Sequence, residues 1–99
     1  MIRGTTPTLK FTLPFSIDTI DKLYVSICQN NVIVIEKSLY ECAYQDNVLS
    51  VTLSQEDTLK LSCDSKAEIQ IRALTKHNES IASNIVTVCV DRILKDGTI

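Results

Sequence analysis

The side chains that could perform catalysis are few in this chain and lie far apart in the sequence. The single histidine, His77, falls in a predicted turn beside Asn78, and nothing in the sequence pairs it with a nucleophile. Asp18 and Asp21 could act as acid and base or bind Ca²⁺, but a calcium loop needs more oxygen ligands and usually a glycine. We therefore interpret these carboxylates as turn and cap residues and predict that the protein is not an enzyme.

The four cysteines also lack the spacing of a metal site. Cys28, Cys42, Cys63 and Cys89 include no close pair, whereas structural zinc sites usually take their ligands from closely spaced pairs. We expect buried or half-buried free thiols, with disulfides as the alternative. The chain has only two glycines, at positions 4 and 97, so no glycine-rich loop could hold a phosphate. No cofactor and no metal are predicted.

Charge and hydropathy argue against nucleic acid and membrane as partners. Ten basic and twelve acidic residues give a net charge of −2, and the basic residues are spread along the chain without a cluster. Binding driven by phosphate contacts is therefore disfavoured. Residues 1–7 lack the apolar region of a signal peptide, and no apolar run approaches the roughly 20 residues of a membrane helix. We expect a protein that is cytoplasmic at synthesis.

Any functional side chain must be positioned by β-strands, because apolar and polar residues alternate along most of the chain. The clearest cases are residues 67–73, with Ala67, Ile69 and Ile71 on one face, and residues 84–90, with Val86, Val88 and Val90 on one face. The last strand has an alternative start at Ile81. The predicted strands cover residues 8–13, 22–29, 32–38, 39–44, 48–53, 67–73 and 84–90.

Two local signals define a turn and a helix. Asn30 and Asn31 separate two strand patterns, and asparagine tolerates the positive φ that a two-residue type I′ turn requires. Ser54, followed three residues later by Asp57, resembles a capping box. We predict one short helix over about residues 55–61, with Leu59 and, as a second candidate, Leu61 packed against the core.

These elements predict an all-β protein built as an antiparallel β-sandwich of about seven strands, with a small open barrel as the alternative. Its 99 residues form one domain, residues 1–99, and the ends 1–7 and 92–99 are expected to be flexible. The hydrophobic fraction of 44% is sufficient for a core.

Four apolar residues fall on the faces of their strands that are predicted to point outward: Leu39, Val48, Ile85 and Cys89. One interpretation is a surface for partner binding or self-association. The other is that both faces of the sheets are partly covered, since single exposed apolar residues are normal.

Several segments together resemble a known family, namely residues 2–8, 9–15, 52–59 and 88–92. They are similar to small phage and prophage proteins of Gram-positive, clostridia-like bacteria, and to the immunoglobulin-like N-terminal domain of phage baseplate upper proteins. The resemblance implies an immunoglobulin-like sandwich that works in the virion or tail by assembly with other virion or tail proteins, and possible homo-oligomers. No functional residue carries over. The chain lacks the long C-terminal region of a receptor-binding protein, which favours an adaptor or accessory role.

Binding of a carbohydrate or a host surface is the alternative function. Such sites usually stack aromatic rings on sugar faces, and the candidates are Tyr24, Tyr40 and Tyr44.

Overall fold

The structure, a computed structural model, describes residues 1–99 and consists of eight strands and one short α-helix. The strands are β1 (Thr8–Thr12), β2 (Ile20–Gln29), β3 (Val32–Ser38), β4 (Ala43–Gln45), β5 (Val48–Thr52), β6 (Ala67–Thr75), β7 (Ser80–Ala82) and β8 (Val86–Val88). The helix α1 spans Gln55–Leu59, and two short 3₁₀ helices span Ile17–Thr19 and Leu39–Glu41.

The strands form two antiparallel sheets, which confirms the predicted all-β sandwich. The smaller sheet has the order β1-β5-β4, and the larger has the order β3-β2-β6-β7, with β8 also pairing with β6. In immunoglobulin nomenclature, β1 to β7 correspond in chain order to B, C, C′, D, E, F and G, giving sheets B-E-D and C′-C-F-G. The arrangement is therefore immunoglobulin-like without the first strand, A.

The core lies between the two sheets and consists of side chains from alternate strand positions. Leu49 and Val51 of β5 are fully buried, and they pair with Phe11 and Leu9 of β1. Sixteen buried apolar residues form one cluster. They are Leu13, Ile17, Ile20, Leu23, Val25, Ile27, Ile35, Leu49, Val51, Leu53, Leu61, Ala67, Ile69, Ile71, Ala73 and Val90. Burial of this β-branched and aliphatic set is the main force that holds the sheets together.

The hairpin of β2 and β3 has the predicted two-residue turn. Asn30 and Asn31 have φ angles of 52° and 64°, as a type I′ turn requires. Beyond the turn, Cys28 pairs with Ile33 whereas Ile27 pairs with Ile35, so Val34 is an extra residue on the β3 side. This β-bulge shifts the alternation of β3 and turns Ile33 toward solvent.

The helix α1 begins with the predicted capping box. The Asp57 backbone N–H donates to Ser54 Oγ over 3.0 Å, and the Ser54 backbone N–H donates to Asp57 Oδ2 over 2.9 Å. These bonds satisfy two N–H groups that a helix start would otherwise leave unpaired. The helix ends at Leu59, two residues earlier than predicted; Leu59 is only half-buried and does not pack against the core, whereas Leu61 beyond it is buried there.

Residues 39–44 do not form the predicted strand. The backbone N–H and the hydroxyl of Ser38 both lie 3.2 Å from Glu41 Oε1, and the chain turns through a 3₁₀ helix instead. Only Ala43–Gln45 forms a strand, β4, which pairs with β5 as predicted for a hairpin. The prediction was wrong here because the Ser38 and Glu41 side chains offer the backbone local bonds that compete with the sheet ladder.

The strand predicted over 84–90 is shortened to β8 (Val86–Val88), and the alternative start at Ile81 falls in a separate strand, β7, with the break beginning at Ser83. The Ile71 N–H donates to Ser83 Oγ over 2.9 Å, so a side chain takes the place of a backbone carbonyl in the ladder. Ala82 pairs with Arg72, and Val86 pairs with Ile69. The chain therefore advances four residues from Ala82 to Val86 while β6 advances only three, which leaves one extra residue between β7 and β8. Val86 is 51% exposed rather than buried, because β8 lies at the edge of the larger sheet.

The two ends of the chain lie together near α1. Ile2 forms a parallel bridge with Asp91. The Arg3 guanidinium donates to the carbonyl oxygens of Leu61 and Leu59 over 2.7 and 3.0 Å, next to the C-terminus of α1, where a cation is favourable. Gly4 follows with φ of +72°, a conformation that an L side chain rarely adopts.

Candidate functional site

The surface depression with the largest volume lies on the solvent side of the larger sheet. We call it the outer face, and it encloses about 550 Å³. Its lining side chains come from three neighbouring strands, from the turn between β2 and β3, and from the segment between β7 and β8. They are Tyr24, Ser26, Cys28, Asn31, Ile33, Glu36, Glu68, Gln70, Arg72 and Ile85. A pocket of this size and position is a candidate binding site.

Strand pairing places these side chains in three rows across the sheet. Because directly paired residues share a face, each row joins one residue from each of β3, β2 and β6. The rows are Ser38-Tyr24-Arg72, Glu36-Ser26-Gln70 and Ile33-Cys28-Glu68. Neighbouring strands lie roughly 4.8 Å apart, so side chains from all three strands can reach one ligand.

The charged groups of the outer face have no partner within the chain. The ion pairs of the whole chain join Arg3 to Asp96 and Lys37 to Asp57 and Glu41. None of them involves the charged residues of the outer face, which are Glu36, Glu68 and Arg72. Two carboxylates and one guanidinium are therefore free to pair with a ligand or partner, a role for which guanidinium and carboxylate geometry is well matched.

Apolar side chains lie between these charges. Ile33 and Ile85 are 56% and 55% exposed, and Tyr24 is 43% exposed. Cys28 is half-buried beneath them and carries a free thiol. A mixture of exposed aromatic and aliphatic groups with a polar rim is typical of surfaces that bind other proteins.

The four residues predicted as an interaction surface do not lie together. Leu39 is half-buried in a 3₁₀ helix and packs against the core. Val48 is half-buried at the start of β5, opposite Thr12. Cys89 is exposed, and its carbonyl accepts a hydrogen bond from the Met1 ammonium over 2.8 Å. Only Ile85 belongs to the outer face.

The outer face was only partly visible in the sequence. Alternation predicted that Tyr24, Ser26 and Cys28 share a face, and likewise Glu68 and Arg72, and the structure places both sets on the outer face. The sequence did not show that β2 and β6 are neighbours, which joins the two sets. Ile33 was hidden in the uninterrupted apolar run 32–35, where no alternation shows the face.

The other titratable groups do not form a catalytic arrangement. His77 is exposed in the turn between β6 and β7. No cluster of three or more His, Cys, Asp or Glu side chains could hold a metal ion. The four cysteines are free; Cys63 and Cys89 are exposed rather than buried. Burial, reinforced by Glu41, raises the pKa of the Cys42 thiol and so disfavours the reactive thiolate.

The closest charge pair in the protein is structural. Lys37 Nζ lies 2.9 Å from Asp57 Oδ2, and both side chains are largely buried. The hydrogen bond to Asp57 raises the pKa of Lys37. Desolvation acts to raise the pKa of Asp57, but the bonds from Ser54 and Lys37 outweigh it and lower the pKa. Asp57 therefore both caps α1 and joins α1 to β3.

Comparison with known protein families, curated proteins and solved structures gave no match to this chain. The fold is an immunoglobulin-like β-sandwich whose largest concavity is the outer face. The structure contains no helix that could span a membrane.

Proposed function

We propose that the protein is a non-enzymatic assembly module of phage or prophage origin, which binds another virion or tail protein through the outer face. The observation that carries the proposal is the combination of exposed Tyr24, Ile33 and Ile85 with the unpaired charges of Glu36 and Arg72 on one concave surface. Burial of the apolar groups would supply affinity, and the charges would set the orientation of the partner.

The outer face suits binding better than catalysis. Its charged groups sit on the regular strands of a sheet, which hold them in fixed positions while leaving them open to solvent. A protein partner needs only such a rigid patch with apolar anchors. Self-association through the same face is a variant of this proposal.

The test is direct binding to the proteins encoded next to this gene, each purified and measured by biolayer interferometry. We expect one of them to bind the wild-type protein, and the double variant Tyr24→Ala, Ile33→Ser to bind at least tenfold more weakly. Analytical ultracentrifugation of the protein alone would detect self-association, the other form of the proposal.

The matched control is Tyr44→Ala. Tyr44 lies on β4 in the smaller sheet and is 50% exposed, close to the 43% of Tyr24. Its replacement should leave affinity unchanged. The proposal fails if none of these proteins binds and the protein stays monomeric up to about 1 mM, the concentration at which even weak specific contacts are populated.

Carbohydrate binding is the second candidate, supported by one observation. Tyr24 and Tyr40 line the same shallow depression of about 160 Å³ at the end of the outer face, together with Asp21 and Lys22. Two aromatic rings beside polar groups suit a sugar. A glycan array would show binding that Tyr40→Ala abolishes; absence of any glycan signal would exclude this candidate.

A further inference from the structure

We propose that the side of the sandwich between β1 and β7 is a second binding site, which takes an extended segment of another polypeptide as an added strand. The segment would pair with the free edge of β1, insert an apolar side chain into the cavity beside it, and carry an acidic residue opposite Lys10. This site is separate from the outer face and does not depend on the function proposed for it.

The first observation is an unpaired strand edge. β1 pairs with β5 on one side only, over the register from Thr8↔Thr52 to Thr12↔Val48. Its other edge presents backbone N–H and C=O groups with no strand beside them. In the complete immunoglobulin plan a strand A occupies this position next to B, the counterpart of β1. A free edge of this kind can accept an extended peptide through main-chain hydrogen bonds.

The second observation is an apolar cavity at the same side of the sandwich. It has a volume of about 200 Å³ and opens to solvent. Its lining comes from the segment that follows β1, from β6 and from the end of β7, with no contribution from β2, β3, β4 or β5. The lining residues are Leu13, Pro14, Phe15, Ile71, Ala73, Ile81, Ala82 and Ser83.

The composition of this lining specifies the occupant. Ser83 is its only residue with a polar side chain, so water inside the cavity finds few hydrogen-bond partners. One large aliphatic or aromatic side chain would fill the space and exclude that water. An added strand alternates its side chains between the two faces, so every second residue of the segment would point toward the cavity.

The solvent face of β1 specifies the residues between the apolar ones. Lys10 lies at the centre of β1, between Thr8 and Thr12, and forms no ion pair. An acidic residue opposite Lys10 on the added strand would form a favourable cross-strand pair. A second copy of this chain suits the edge poorly, because two β1 strands paired about Lys10 would place the two lysines directly opposite each other.

The experiment uses the full chain and a fluorescein-labelled peptide of sequence Thr-Val-Thr-Leu-Asp-Leu-Thr-Val-Thr, measured by fluorescence anisotropy. We expect a dissociation constant in the range of about 1–100 μM, typical of short peptides that add to a sheet. Backbone amides on the free edge of Thr8–Thr12 should gain protection from hydrogen exchange, and those of β3 should not.

Two variants test the two features separately. In the variant Ala73→Val, the larger side chain should occupy part of the cavity and lower the affinity for the peptide at least tenfold. Its melting temperature should stay within a few degrees of the wild-type value, because valine favours strands. Lys10→Glu should lower the affinity for this peptide at least threefold. The same variant should bind a peptide with Lys in place of Asp more tightly than the wild-type protein does. Lys66→Glu, outside the site, should change neither affinity.

Several results would overturn the proposal. The first is an affinity for the peptide that does not change in Ala73→Val or when the charges of residue 10 and the peptide are exchanged. The second is protection from hydrogen exchange in β3 instead of β1. The third is absence of peptide binding at about 1 mM, a concentration at which even weak specific binding is detected. Concentration-dependent dimers that disappear in Lys10→Glu would assign the edge to a second copy of the chain and would likewise overturn it.

Discussion

The surroundings of helix α1 and the side of the sandwich between β1 and β7 stabilise the fold in opposite ways. Around α1, polar groups from distant segments meet: Arg3 donates to carbonyls at the helix end, Lys37 pairs with Asp57, and Thr58 Oγ1 donates to the Thr5 carbonyl over 2.8 Å. Beside β7 there is an apolar cavity, and β8, which pairs with β6 on the same side as β7, carries a half-exposed valine, Val86.

The difference shows which region of the protein fixes the packing of the fold and which region has surface available for a ligand. Partly buried polar groups around α1 are costly unless every one is paired, and no buried side-chain N or O lacks a partner. Such a network tolerates little change. The side next to β7 has few polar partners to lose, so it should tolerate substitution and accept a ligand.

The largest effect should come from removing the side chain that serves two elements at once. Asp57→Ala deletes both the cap of α1 and the partner of Lys37, and we expect a loss of about 3 kcal/mol in the free energy of unfolding. Asp57→Asn is the control, because its amide oxygen can still accept from Ser54 but carries no charge. Urea unfolding should show a smaller loss in the free energy of unfolding for Asp57→Asn than for Asp57→Ala. Equal losses would contradict the dual role of Asp57.

A somewhat smaller effect is expected at Gln29, which joins β2 to the segment after α1. Its amide donates to the Ser62 and Ser65 carbonyls over 2.7 and 3.0 Å and accepts from the Ser62 N–H over 2.8 Å. Gln29→Ala should cost about 2 kcal/mol, because it leaves these groups unpaired.

The control for Gln29 is Gln70, whose amide makes one hydrogen bond, to the Ser83 carbonyl, at the exposed outer face. Gln70→Ala should cost about 0.5 kcal/mol. Both values come from chemical denaturation at neutral pH. Equal losses of unfolding free energy for the two variants would contradict the view that the paired polar groups near α1 tolerate less change than a single exposed hydrogen bond.

The pH dependence of stability should follow the Lys37–Asp57 pair. Asp57 has a lowered pKa in the folded protein, so its contribution is present above the unfolded value and is lost as pH falls below about 4. Lys37 has a raised pKa, so its contribution is present below the unfolded value and is lost as pH rises above about 10.

Melting temperature measured from pH 3 to 11 should therefore decline at both ends, over about the range in which these groups titrate. The double variant Lys37→Met, Asp57→Asn should decline less steeply at each end. Parallel profiles for the variant and the wild-type protein would show that other groups control the acid and base limbs.

The smallest effect is expected at β8, which lies at the same edge of the larger sheet as β7. Val86→Ala should change the free energy of unfolding by less than about 0.5 kcal/mol, since the side chain is already half in water. Val51→Ala, at a fully buried position of β5, should cost about 2 kcal/mol by comparison. A large loss at Val86 would mean that the edge is covered in solution.

Sequence periodicity predicted most of the fold because side-chain alternation directly reflects burial. It identified the inward positions of β2 and β6 and the Asn30–Asn31 turn, which depends on only two residues. It was wrong at residues 39–44 and in the length of the strand predicted over 84–90, where the chain leaves the ladder next to Ser83. In both places a side-chain oxygen bonds to the backbone and interrupts the ladder, and alternation of hydrophobicity carries no trace of such a bond.

The candidate sites were less predictable than the fold. The outer face requires the pairing of β2 with β6, between segments far apart in the chain, and the bulge at Val34 that exposes Ile33. The cavity near the end of β1 is lined by segments far apart in the chain, namely the segment after β1, β6 and β7, and no local pattern could show that they meet. Single residues such as Ile85 could be assigned to a face, but not to a surface.

The central position of β2 has a consequence for the order in which the protein folds. Val25 pairs with Lys37, twelve positions further on, and with Ile71, forty-six positions further on. Closing the longer loop costs more chain entropy, so we expect the hairpin to form early and β6 to dock late. Until β6 arrives, the middle strand of the larger sheet presents a bare hydrogen-bonding edge, and during synthesis that interval is when the chain is most prone to aggregate.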